Sequence, residues 1–177
     1  QLYDYAEEFD AVLVVTPHKT HPALVMQAFA HGKHVLCDKP SANALAPALE
    51  MNRAAEKSGL VFAMMFHQRR YKKYIKLKNL LDDGALGEIK RVQLENSRYF
   101  RTWMYHRSGS WRSSWAGEGG GALLNQGQHI LDIFQYLFGM PQRLFAVIPF
   151  GKYNPFAVDD EDTIVMEYDT GMTASFI

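Results

Sequence analysis

The opening of the chain alternates short apolar runs with amphipathic stretches. Asp10-Ala11-Val12-Leu13-Val14-Val15-Thr16 is rich in β-branched residues and ends at Pro17, the pattern of a strand buried on both faces. Leu24, Val25, Ala28 and Phe29 then share one face of a helix that Thr20 can cap and Gly32 can end. His34-Val35-Leu36-Cys37 predicts a second strand. Asn43 begins a second helix running to about Ser58, with Pro47 in its first turn and Gly59 past its end. Leu60 to Phe66 predicts a third strand. Strand–helix–strand–helix–strand with short connections predicts a parallel α/β sheet with right-handed crossovers.

The rhythm changes near residues 65–70. A helix is predicted from about Tyr71 to Leu81, stopping in Asp82-Asp83-Gly84, and Ile89 to Tyr99 alternates as a half-exposed strand does. Residues 98–117 read as irregular. A long helix is predicted over Leu123 to Phe138, closed by Gly139-Met140-Pro141. Strands follow over Arg143 to Phe150 and Asp162 to Tyr168, then a turn at Asp169-Thr170-Gly171 and a last strand from Met172 to Ile177. The expected organisation is thus a parallel α/β unit over 1–66 and an α+β unit over 67–177 with a mainly antiparallel sheet. In the tail, Val165, Glu167 and Tyr168 are set against Ile164 and Met166; one face can pack on the helix around Ile130, while the other needs cover. The first sheet leaves an edge to be covered, and the last strand stops without a turn. Both features read as a segment of a longer protein whose second domain is incomplete at its C-terminal side.

Composition narrows the function classes. Hydrophobic residues make up 47% and charged residues 21% of 177, which excludes disorder and collagen-like repetition. Nineteen Lys and Arg balance nineteen Asp and Glu, which argues against a nucleic-acid binder driven by phosphate neutralisation. Apolar runs break well before the ~20 residues a membrane helix needs. The lone Cys37 forbids an internal disulfide and, with no secretory signal at the start, points to a reducing, cytoplasmic setting.

Three strings could carry chemistry. Thr16-Pro17-His18-Lys19-Thr20-His21 sits at the carboxyl end of a parallel strand, where open α/β sheets place ligands; a plain polar loop fits equally well. Asp38-Lys39-Pro40 ends the next strand, and a lysine in a partly dry cleft can hold a substrate hydroxyl by a charge-assisted bond. A cis Lys39-Pro40 bond would fix its direction; a solvated lysine beside a turn proline is the plainer reading. In Gly119-Gly120-Gly121 through Asp132, the glycines let the backbone pass close to a ligand or another strand. Asn125 and His129 lie four apart on one helix face, with Asp132 further along it. His129 could move a proton near neutral pH, or be a hydrogen-bonded core histidine. A metal centre on His129 and Asp132 lacks further ligands. The Arg- and Trp-rich stretch from Arg98 to Trp115 fits sugar stacking, anion binding or a subunit interface better than single-stranded nucleic acid. Asp159-Asp160-Glu161-Asp162 reads as a solvated loop.

Taken in order, these strings resemble the Gfo/Idh/MocA family of NAD(P)-dependent oxidoreductases, which act mostly on sugars, inositols and their derivatives. The resemblance covers nearly the whole chain. It implies a Rossmann-type first domain, present as its C-terminal part, followed by a substrate-binding and oligomerisation domain. Thr16-Pro17 with His21-Pro22 resembles the loop near the nicotinamide ribose. Asp38-Lys39-Pro40 resembles the family's Glu-Lys-Pro motif, so the resemblance makes Lys39 central to catalysis and Asp38, Lys39 and Pro40 cofactor contacts. Gly119 through Asp132 resembles the glycine-rich substrate motif, with His129 as acid/base and Asn125 a substrate contact; Arg112 is the further substrate contact expected. Asp38 shortens the usual glutamate, and Asn125 stands where many members carry an aspartate, which concentrates proton transfer on His129 and Lys39.

No Gly-x-Gly-x-x-Gly fingerprint precedes Asp10, so the choice between NAD and NADP is unreadable, and these residues alone should bind dinucleotide poorly. The leading expectation is hydride transfer between a sugar or cyclitol hydroxyl carbon and NAD or NADP, in a homo-oligomer (dimer or tetramer) without metal, nucleic acid or membrane partners. An NAD-dependent glycoside hydrolase and a non-catalytic dinucleotide sensor are the alternatives; the presence of both Lys39 and His129 argues against the sensor.

Overall fold

A computed structural model describes residues 2–97, 100–109 and 111–177. It divides into two compact units, Gln1–Phe66 with Ala116–Gly119, and His67–Trp115 with Gly120–Ile177.

The first unit is a parallel sheet in the order β1 (Ala11–Val14), β2 (His34–Cys37), β3 (Phe62–Met64). Its crossovers are α1 (His21–Ala30) and α2 (Leu45–Ser58). The register pairs Val12 with Val35 and Leu36 with Ala63. Val14, Val25, Ala28, Val35, Cys37 and Met51 form one buried cluster, so both helices contribute to the same core. The expectation of a first strand buried on both faces fails. Val14 is buried, but Leu13 is 56% and Val15 63% exposed, because the described chain covers one face of this strand. The helix starts also differ from those read in the sequence. Thr20 spends its hydroxyl on Thr16 Oγ1 and the Pro17 carbonyl rather than on a helix amide. The second helix begins at Leu45, with Ala44 rather than Asn43 at its cap.

The second unit holds α3 (Lys72–Asp82), β4 (Arg91–Leu94), α4 (Trp103–Arg107), α5 (Gln128–Phe138), β5 (Arg143–Val147), β6 (Thr163–Glu167) and β7 (Thr173–Phe176). Its sheet runs β4-β7-β6-β5, antiparallel except for the β4–β7 pair. The stretch expected to be irregular includes α4, whose start is capped by the Thr102 hydroxyl accepting from the Tyr105 amide at 3.3 Å. Arg98 and Tyr99, part of the predicted strand and arginine-rich stretch, lie outside the described residues.

Helix α5 buries Ile130 and Phe134 against Ile164, Met166, Tyr168, Ala174 and Phe176. Strand alternation explains this, since every second residue meets the helix. Tyr168 belongs to that core face and not to the opposite one. The expected long helix is interrupted at its head: Leu123–Gly127 wind as a π turn before α5 begins. No helix among the described residues is long and apolar enough to cross a membrane.

Candidate functional site

The carboxyl ends of β1 and β2 carry the first group of candidate residues. Thr16 and Pro17 are exposed in the loop leaving β1. Lys39 and Asp38 are half-buried after β2, and the Lys39–Pro40 peptide is cis. Asp38 folds back on the turn, its Oδ1 accepting the Lys39 amide at 2.9 Å.

His21 holds this region together from beneath. Its ring is fully buried, with Nδ1 2.7 Å from the Pro40 carbonyl and Nε2 2.7 Å from the Thr16 carbonyl. Histidine can bridge two loops in this way because its two nitrogens point apart. The side chain is therefore a brace between the two strand-end loops.

His18 is also buried, its Nδ1 3.4 Å from the Glu118 carbonyl. Burial holds the His18 imidazole below its ordinary range, against the opposing effect of the Glu118 carbonyl, with Lys39 adding to the lowering. Cys37, at the end of β2, is pushed up to about 12 by burial and then by Asp38, so it is an inert thiol packed in the core.

The second group lies at the head of α5. The π turn carries Asn125 half-buried, its Oδ1 accepting from Gln126 Nε2 at 2.9 Å. His129 follows in the first turn of α5, buried, its ring 5.2 Å from that of His67 in an edge-on contact. Asn125 and His129 remain four apart, but across the join of a π turn and α5 rather than on one continuous α-helix. Asp132 lies further along α5. It is buried and held by Arg69, which donates from Nε at 2.8 Å and from Nη2 at 2.5 Å.

Arg112, expected to touch substrate, is engaged within the unit. Its guanidinium lies 4.4 Å from the Tyr105 ring centroid and 4.6 Å from that of Trp111, and Nη1 donates to the Tyr105 hydroxyl at 2.6 Å.

The acidic run departs furthest from its reading. Asp159 and Asp162 are buried rather than solvated. Asp159 Oδ1 accepts the Gly121 amide at 2.8 Å, Oδ2 the Leu123 amide at 2.7 Å, and its carbonyl the Ala122 amide at 3.0 Å. Gly121 is required for this approach, since a Cβ there would lie 1.9 Å from the Asp159 carbonyl oxygen. The glycine run thus serves contact with another loop. Burial, the Asp159 carboxylate and a hydrogen bond with it push Asp162 up to about 7. Burial also pulls the Asp160 carboxyl upward, but the amides of Tyr153, Asn154 and Lys152 outweigh it and hold it below the usual carboxylate range. The sequence signal for a buried acid was present but slight: Ala157-Val158 is an apolar step directly before Asp159. The Arg69–Asp132 pair spans 63 positions and has no local signature.

Comparison with known proteins places this geometry. Residues 2–66 match the profile described as oxidoreductase family, NAD-binding Rossmann fold, and residues 74–177 match the GFO/IDH/MocA C-terminal domain. The trans-1,2-dihydrobenzene-1,2-diol dehydrogenase of Bos taurus is 29% identical over 96% of this chain and 48% of its own length. A scyllo-inositol 2-dehydrogenase (NADP(+)) of Bacillus subtilis is 31% identical over 85% of this chain and 40% of its own. The solved structure of aldose-aldose oxidoreductase from Caulobacter crescentus, complexed with glycerol, superposes with a TM-score of 0.88 at 29% identity, covering 99% of this chain and 52% of that one. The chain therefore spans about half the length of the relatives it matches. With both of its halves matched in order, the chain belongs to the GFO/IDH/MocA family of oxidoreductases.

Proposed function

We propose that the full-length protein oxidises or forms a hydroxyl group on a sugar or cyclitol with NAD or NADP, using Lys39 and His129 as its catalytic pair. The observation that carries this reading is the survival of both motif residues in a chain matched by both family domains. The relatives named as inositol and diol dehydrogenases support the substrate class.

In this reading the first unit serves the dinucleotide and the second serves substrate binding and self-association. The residues fit a nicotinamide ribose: Thr16 and Pro17 are exposed at a strand end, and Asp38, Lys39 and Pro40 form a turn braced by His21. When bound, the nicotinamide supplies the redox chemistry by exchanging hydride with the hydroxyl-bearing carbon. Lys39 donates a charge-assisted hydrogen bond to the substrate oxygen, stabilising negative charge as it develops. His129 takes the hydroxyl proton in the oxidative direction and returns it in the reductive one. Asn125 orients a neighbouring hydroxyl and accepts no proton. The outer edge of Arg112 meets an anionic substituent where the substrate carries one.

The uncovered face of the second sheet supports self-association. Phe145 is 68% and Val165 44% exposed as a cross-strand pair, and a second copy of the chain covers them in a dimer or tetramer. A monomer by light scattering at micromolar concentration overturns this part.

The test is turnover by the full-length enzyme with NAD or NADP against a panel of inositols, aldoses and vicinal diols. Net accumulation of reduced cofactor, lost ~30- to 1000-fold in Lys39→Met, is the expected result. Glycoside cleavage without net reduction of cofactor, or undiminished turnover in Lys39→Met, overturns the reading.

A further inference from the structure

We infer that Asp159 is a positioning residue that sets the direction of His129 through the backbone of the glycine turn. The inference rests on the reading of His129 as the acid/base residue. A helix start leaves its first amides without intrahelical partners, and a local Ser, Thr, Asp or Asn ordinarily supplies the cap. Here the cap position before the π turn is Ala122, preceded by three glycines, and none has a side chain that can do this. One residue from far along the chain takes over. Asp159 accepts the amides of Gly121, Ala122 and Leu123, consecutive along the backbone, through both carboxylate oxygens and its own carbonyl.

The anchor is itself fixed. Asp159 bridges Phe150, the Gly151 amide donates to the Val158 carbonyl at 3.1 Å, and Asp160 gathers the amides of Lys152, Tyr153 and Asn154. Asp162, three residues further along the same run, is buried as well. From this anchor the path to the chemistry is short. The Asn125 amide donates to the Gly121 carbonyl at 3.0 Å, closing the first winding of the turn, and His129 follows in the next. A shift of Gly121 or Leu123 therefore moves Asn125 and His129 together. The carboxylate also lies at the end of the helix that favours negative charge, which strengthens the hold.

The test uses the full-length enzyme with Asp159→Ala, Asp159→Asn and Gly121→Ala. Asparagine keeps one acceptor oxygen, and alanine at 121 attacks the same contact from the other side. Asp159→Ala and Gly121→Ala should lower kcat by ~10- to 100-fold with cofactor KM unchanged within about twofold, while Asp159→Asn recovers part of the loss. In histidine-labelled protein the His129 ring signal, assigned by its loss in His129→Gln, should move in all three variants. If Asp159→Ala does not fold, the other two carry the measurement. A wild-type His129 signal with wild-type kcat in folded Asp159→Asn and Gly121→Ala overturns the inference. Full turnover by His129→Gln would instead overturn the catalytic reading, and the ring signal would still decide what Asp159 positions.

Discussion

Arg69 grips Asp132 with two parallel bonds, Nε to Oδ2 at 2.8 Å and Nη2 to Oδ1 at 2.5 Å, tying the segment before α3 to the middle of α5. The two side chains differ in setting: Arg69 is 40% exposed and Asp132 6%. The bidentate bond with Asp132 raises the Arg69 guanidinium above its ordinary range. Removing the arginine strands a buried carboxylate, which is costlier than losing the pair as a whole. Arg69→Met should therefore lower unfolding free energy by about 2–3 kcal/mol, a figure reduced for the partial solvation of the arginine. The double variant Arg69→Met/Asp132→Leu should recover much of that loss. Equal urea midpoints for Arg69→Met and wild type would show that the pair contributes nothing.

Asp162 makes stability depend on pH in a stated direction. Its folded pKa of about 7 lies above its ordinary 3.8. Below about 4 the folded and unfolded states both hold the proton, and the group's stabilising contribution is fully present. As pH rises from there to about 7, only the folded state retains the proton, so stability falls; beyond about 7 the loss is complete. Asp162→Asn, which cannot ionise, should be more stable than wild type at pH 8 by about 2–4 kcal/mol, with the advantage gone near pH 4. Parallel stability curves for the two proteins across that range would refute this.

Cys37 should be silent. With no exposed surface and its thiol pushed up to about 12, almost no thiolate forms at neutral pH. A disulfide reagent at pH 8 should modify the native protein at the rate of unfolding, and immediately in denaturant. Fast stoichiometric labelling of native protein would show that the end of β2 opens on its own.

What was legible in the sequence followed from period and punctuation. His34–Cys37 was readable to the residue because β-branched packing and flanking turns agree there. The β6–β7 pairing followed from alternation around Asp169-Thr170-Gly171. Long-range polar contacts were not legible. Asp159 looked like one solvated acid among four, since nothing local says that it meets amides up to 38 positions earlier. The π turn was hidden for a related reason. Leu123 to Phe138 has α-helical periodicity, and the wider winding arises where tertiary bonds to Asp159 fix the first amides. The motif resemblance places His21 near the cofactor, but its two ring bonds depend on where Thr16 and Pro40 lie in space and have no local signature.

The last prediction separates the roles of His129 and Asn125 in the full-length enzyme. Under the proposed function, with asparagine unable to accept a proton, His129 serves as the base of its turn. The log of kcat/KM for alcohol oxidation should then rise with pH through a single ionisation and level off once the imidazole is neutral. His129→Ala should abolish that ionisation and lower the rate by ~10²–10⁴-fold. Asn125→Ala should chiefly raise KM, because the contact it removes exists in both ground and transition states. Asn125→Asp adds a negative charge close to the imidazole, which favours imidazolium, so more alkali is needed to free the base and the profile moves to higher pH. The direction of that shift discriminates between candidates for the base. If His129→Ala keeps the wild-type pH profile while Asn125→Asp leaves it unmoved, the proton goes to Lys39 or to another group, and His129 only shapes the turn.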